Sequence, residues 1–390
     1  MILEARRNSP YEEASGERAD DDYQGVYGWS EHDRIIAAGG MTFKRRCANL
    51  CAMKSVYEAS AAGAFAKAFG NSALRPVSVR CLVSILRNFF LSQFRLAFFP
   101  GRVPVSRVDH PLDSGIPFTP AWIGVYVDFV AYWLRMLVFL RETYGRKSLG
   151  AIAEFAESIG RLYSFAAKVY RKNLSTMERP FYVSRRRFFV IHLLDPHLMC
   201  VPSLHVMVAA FAHAKFAAIL RSFGEAETRS DALGETMRGA LAICASVLFV
   251  KQHSVNCIGA SLYALTRFDA ELFPPEKAEE FCSRLFEPPC GSPSAETGCL
   301  RSGGKSACPN AENCRKCPLS VPGSALPSAV AAEIRAHVAG SYRRFSDEGK
   351  GAKNWEDPLL NFLREMPRGK TPLAAGLDLV RRRRAFPGLD

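Results

Sequence analysis

The sequence predicts an all-α fold, a membrane-embedded bundle of about six helices followed by a cysteine-rich irregular C-terminal region. Three observations predict it. Six apolar runs of helical length follow one another between Val77 and Phe268. Hydrophobic residues make up 48% of the 390 positions, enough for one large core or two ordinary ones. After Phe268 the helical signal gives way to a Pro/Gly/Ser-rich stretch with six cysteines.

Residues 1–75 read as a polar N-terminal tail with a turn at Gly39-Gly40 and one helix from Lys54 to Phe69. The opening "MILEARRNSPYEEASGERADDD" lacks the apolar segment of a secretion signal, so the first residues are expected in the cytoplasm and the thiols reduced. Residues 76–268 form the helical core. Its first run, Val77 to Phe99, carries Arg80, Arg87 and Arg95 along one stripe, read as a solvated face. The second, Ala121 to Leu140, carries Asp128 and Arg135. Each charge inside a span costs roughly 2.5 to 3.5 kcal/mol, so both are expected to face a bundle interior or a polar cavity. No window shows about 18 apolar residues free of charge.

The third run, Leu149 to Tyr170, is amphipathic: Ile152, Phe155, Ile159, Leu162, Phe165 and Val169 share one face, with Glu154, Glu157, Arg161 and Lys168 elsewhere. Pro202 to Phe223, Met237 to Val250 and His253 to Phe268 complete the core. Residues 269–325 are the cysteine-rich segment, closing in "CPNAENCRKC". Its thiols, above all Cys299, Cys308, Cys314 and Cys317, are candidate ligands for a structural zinc or an iron–sulfur cluster, against free thiols in a linker. Residues 326–390 form a basic C-terminal region ending in "LVRRRRAFPGLD".

The excess of 51 Lys and Arg over 38 Asp and Glu gives a net charge of +13, which favours an anionic partner: a phosphate ester, an acidic membrane surface or nucleic acid. With no nucleic-acid module and no aromatic-rich basic groove, nucleic acid is the least expected of the three.

Chemistry concentrates in three pieces at helix boundaries. "KNLSTMERP" places Lys172 six residues before Arg179-Pro180, "PSLH" places Ser203 and His205 at a helix start, and "KQHSVNCIGA" places Lys251 and His253 at another. Together and in this order they resemble the signature of the type 2 phosphatidic acid phosphatase superfamily, which runs K-x6-RP, PSGH and SR-x5-H-x3-D. The resemblance covers about Lys172 to Ala260 and implies a helical bundle whose motifs meet at one end, here a lipid phosphatase or inositolphosphotransferase-like member acting on a lipid phosphate ester. It implies a phosphohistidine at His253 and an acid–base role for His205. Lys172, Arg179, Ser203 and Lys251 would bind the phosphate, with no cofactor required for catalysis.

The third motif departs from that pattern. Ser246 matches its serine, but Val247 stands for its arginine and Cys257 for its aspartate. Lys251 is a candidate replacement for the missing positive charge, and Asn256 a candidate orienting partner for His253. The other reading is a catalytically inactive relative whose cysteine-rich C-terminal region binds a metal or a partner.

If Lys172, His205 and His253 share a face, both termini lie opposite it, cytoplasmic when the site faces outward; Arg185-Arg186-Arg187 then meets anionic headgroups. His192, His197 and His213 are assigned no role, and Asp195-Pro196-His197 is read as a turn.

Overall fold

The computed structural model describes residues 55–99, 103–180, 182, 186–287 and 326–370. The candidate ligands Cys299, Cys308, Cys314 and Cys317, together with Arg185 and the terminal arginine run, lie outside these residues.

The described residues are mostly helical, and each of the six expected runs is a helix or contains one. In chain order the helices are α1 (Ala64–Gly70), α2 (Arg75–Phe98, with a π-helical stretch at Leu86–Leu91), α3 (Ile123–Val127), α4 (Phe129–Tyr144), α5 (Leu149–Tyr170), α6 (Arg186–Leu194), α7 (Leu204–Ser222), α8 (Ser230–Phe249), α9 (Val255–Phe268), α10 (Pro275–Ser283), α11 (Ser328–Lys350) and α12 (Asp357–Glu365). Four stretches are long and apolar enough to cross a membrane: Arg75–Phe98, Pro120–Tyr170, Leu204–Ser222 and Ser230–Phe249.

Helix α7 is the hub, apolar on nearly every side and packed against α4, α5, α8 and α9. Its small residues Ala209, Ala210, Ala212 and Ala214 let those neighbours approach. On α5 the expected stripe is buried at Ile152, Phe155, Ile159, Leu162 and Val169, while Phe165 stacks on Trp355 at 3.8 Å. Asp128 and Arg135 neutralise one another in a bidentate pair at 2.6 and 2.8 Å, which offsets the cost of placing them in an apolar run. Arg80, Arg87 and Arg95 are exposed on α2, as their spacing predicts.

Three features lie beyond the sequence reading. The tail helix is shorter than expected, and the segment before it is anchored: Val56 N–H donates to Glu235 of α8 at 2.7 Å. Two three-residue strands, β1 (Val105–Arg107) and β2 (Leu174–Thr176), pair in parallel with Val105 opposite Leu174. Strands this short carry too few alternations to show a period. The helical core also extends past residue 268. Helix α11 lies along α9 and buries Ile334, Val338, Tyr342 and Phe345, so part of the basic C-terminal region belongs to the bundle.

Close approach of α9 and α11 depends on Gly259. A Cβ there would lie 2.8 Å from the Val338 carbonyl and 3.1 Å from Tyr342 N, backbone atoms that cannot swing aside. Gly259→Ala is therefore expected to lower stability by about 1–3 kcal/mol through overpacking. Gly340→Ala, on α11 with open space around its Cβ, is expected to be neutral or slightly stabilising. Chemical denaturation in detergent reads both; equal effects would refute this packing.

Candidate active site

The first two motifs are brought together by β2. The strand runs through the middle of "KNLSTMERP", and its Ser175 holds the following loop by three bonds. Ser175 N–H donates to the Leu198 carbonyl at 3.0 Å, Cys200 N–H to the Ser175 carbonyl at 3.2 Å, and Val201 N–H to Ser175 Oγ at 2.7 Å. This fixes the Cys200 carbonyl against the ring of His253, whose Nδ1 lies 3.2 Å from it.

That contact determines the tautomer of His253. A carbonyl only accepts, so Nδ1 carries the proton, and the lone pair on Nε2 accepts the Ser203 hydroxyl at 3.1 Å. Ser203 occupies the N-cap of α7 without capping it, so its oxygen is available to His253. Burial pushes His253 down to about 3, helped by neighbouring His197, with Asp195 and the Cys200 carbonyl acting in the opposite sense. The imidazole is neutral at physiological pH.

His205 lies in the first turn of α7, with its ring centroid 5.8 Å from that of His253. It stacks on Tyr126 at 4.2 Å and packs against Phe129 at 4.1 Å. Both imidazoles line a cavity of about 20 Å³, together with Phe89 and Gln93 of α2, Asp195, Met199 and Leu204. A space of that size holds about one water molecule and not a tetrahedral anion. A wider solvent-open cleft near α12, lined by Asp357, Asn361 and Glu365, holds none of the motif residues.

The expected cations are distributed differently. Arg179 sits beside the site: Nη1 donates to Gln252 Oε1 at 3.0 Å and Nη2 to the Asp195 carbonyl at 3.1 Å. Lys172 is half-exposed and pairs with buried Glu356 at 2.8 Å, and Lys251 donates to the Asp113 carbonyl. Neither lysine lines the cavity.

Asn256 does not orient His253. Its amide donates to the Val108 carbonyl at 3.2 Å, and its Oδ1 lies 2.9 Å from His337 on α11. Three residues past His253 across a helix start, its side chain emerges toward α11. Cys257 supplies no charge either, because burial pushes its thiol up and keeps it protonated.

Several residues passed over in the sequence support the site. Asp195 Oδ1 accepts from His197 N–H at 2.8 Å, the local bond of an Asx turn, and holds His197 at a φ of 58°. His197 Nε2 donates to the Gln252 carbonyl at 2.8 Å, tying the loop before α7 to the residue before His253. The Asp-Pro-His triplet signalled the turn; nothing signalled that Gln252 would receive it.

Comparison with known proteins finds no matching family model, no similar curated protein and no similar solved structure.

The buried neutral histidines make stability pH-dependent. The folded forms of His253 and His197 are both pushed down to about 3, below the ordinary 6.5. As pH falls the unfolded chain takes up these protons first. The stability they contribute is complete above about 6.5 and declines as pH drops toward 3. His253→Asn is expected to flatten the fall in unfolding free energy between neutral and mildly acidic pH; an unchanged slope would contradict neutral burial.

Proposed function

We propose that the protein is a phosphatase or phosphotransferase acting on a lipid phosphate ester through a phosphohistidine at His253. The observation that carries this reading is the Cys200 carbonyl–His253–Ser203 chain. With Nδ1 anchored, the lone pair on Nε2 is held in the direction of attack, the task that the family pattern gives to the missing carboxylate. His205, beside it in the same cavity, is the acid for the leaving oxygen. Arg179 is the cation nearest to this chemistry, with two of its five N–H groups engaged by Gln252 and Asp195.

A lipid substrate fits the outer surface. Next to the cavity wall, α2 exposes Leu91 and Phe98, with Phe99 just past its end, and α6 exposes Phe189, Val190 and Leu193. Exposed Arg87, Arg95, Arg186 and Arg187 flank these apolar groups. Apolar residues rimmed by arginine suit acyl chains and anionic headgroups. The closed cavity requires the α2 wall to move for a phosphate to enter. A second reading, a member of the fold without turnover, draws support from Lys172, which is paired with Glu356 rather than turned to the site.

Purified protein in mixed micelles is expected to release phosphate from a panel of lipid phosphates. His253→Ala should abolish release and covalent labelling alike. His205→Ala should lower turnover by about a hundredfold or more. Wild-type protein as inert as the variants across the panel would establish the second reading.

A further inference from the structure

Gln93 is 1% exposed on α2, lines the cavity of the two imidazoles, and makes one side-chain hydrogen bond among the described residues. Its Nε2 donates to Asp195 Oδ1 at 2.9 Å. Because a carboxylate only accepts, the amide cannot be turned round, and Oε1 is the remaining end. That oxygen is buried with no donor among the described residues. A buried amide oxygen without a donor is costly and indicates a group that belongs there.

We propose that Gln93 Oε1 binds a water molecule against His205 and His253, and that this water, not an alcohol, is the phosphoryl acceptor. The inference rests on the phosphohistidine reading above and identifies its second substrate. Two observations select water. In the closed resting state the cavity of about 20 Å³ admits one water-sized group, so an acceptor already in place before the α2 wall moves is water. The donor count agrees: water has two O–H groups, one for Gln93 Oε1 and one for His205, whereas a monohydric alcohol has a single O–H and leaves Oε1 unmatched, and a polyol with a second O–H exceeds the cavity. In the step itself the water oxygen bonds to phosphorus as the Nε2–P bond breaks, and the bonding pair returns to His253. One water proton passes to neutral His205, and the other stays on the product oxygen, bonded to Gln93. Gln93 acts through the water and is a positioning residue.

The test follows the two half-reactions with radiolabelled lipid phosphate and methanol as competing acceptor. Gln93→Leu and near-isosteric Gln93→Met remove the acceptor oxygen and keep an apolar wall. Formation of the labelled histidine should be unchanged. Its hydrolysis should slow by about tenfold or more, so the labelled enzyme accumulates. Transfer to methanol should not slow, so the ratio of methyl phosphate to inorganic phosphate rises by the same factor. Hydrolysis and methanolysis falling together, or hydrolysis unchanged, would overturn the proposal. If the wild-type protein forms no labelled histidine, the phosphohistidine reading fails, and the water site is judged by an experimental map at high resolution. Ordered water on Gln93 Oε1 sustains the site, and a dry contact rejects it.

Discussion

A neutral imidazole can present its lone pair on either nitrogen, and only a fixed partner decides which. In this protein the partner is the Cys200 carbonyl, and much of the site's geometry serves to hold it still. Strand β2 pins the loop through Ser175, the His197–Gln252 bond joins that loop to the segment before α9, and Ser203 N–H donates to Ser261 of α9 at 2.6 Å. Each of these contacts spans chain segments far apart in sequence, so the site exists only when α5, α7 and α9 are packed together.

A carbonyl in this place differs from a carboxylate in one respect that matters. It orients the ring equally well but does not offset a positive charge on it as a full negative charge would, and burial adds a desolvation penalty. The ground state is therefore a neutral imidazole, which on the proposed reading is suited to attack and poorly suited to ion pairing with a substrate. On that reading, binding an anionic ester would fall to groups outside the ring pair. Arg179 is already at the edge, held by the residue before His253 and by the Asp195 backbone. Glu356, by contrast, occupies Lys172, so the first motif's lysine takes part only if a phosphate displaces a buried carboxylate.

The helices were legible because their signals are local and long. On α5 the apolar positions recur at helical spacing, and the face they define is the buried one; the long apolar runs that became α7 and α9 are helices buried on nearly every side. The meeting of Ser203, His205 and His253 was legible through the order of the motifs. What stayed hidden was either backbone or nonlocal. The Cys200 carbonyl has no side-chain letter to read. Gln93 stands between Ser92 and Arg95 in the otherwise apolar "FFLSQFRLAFF", and its meaning depends on Asp195, more than a hundred positions away. Asn256 lies three residues past His253, a helical spacing, but α9 begins only at Val255 and its first turn faces α11.

Helix α2 combines properties that the proposed reading requires of a wall between a lipid layer and the histidine cavity. Its inner face carries Gln93, buried and tied to Asp195, and Phe89, which closes the cavity. Its outer face is the least buried of the four long apolar stretches, and its hydrogen-bonding pattern changes to a π-helix at Leu86–Leu91, directly before Gln93. A helix with a local irregularity and few packed neighbours is easier to displace than α7, which is enclosed on every side. On the proposed reading, access to the histidines would lie along α2, where Gln93 meets Asp195 just past α6, while α7, α8 and α9 hold the histidines in place. The proposed reading thus assigns chemistry and access to different helices, and the Gln93–Asp195 hydrogen bond lies between them.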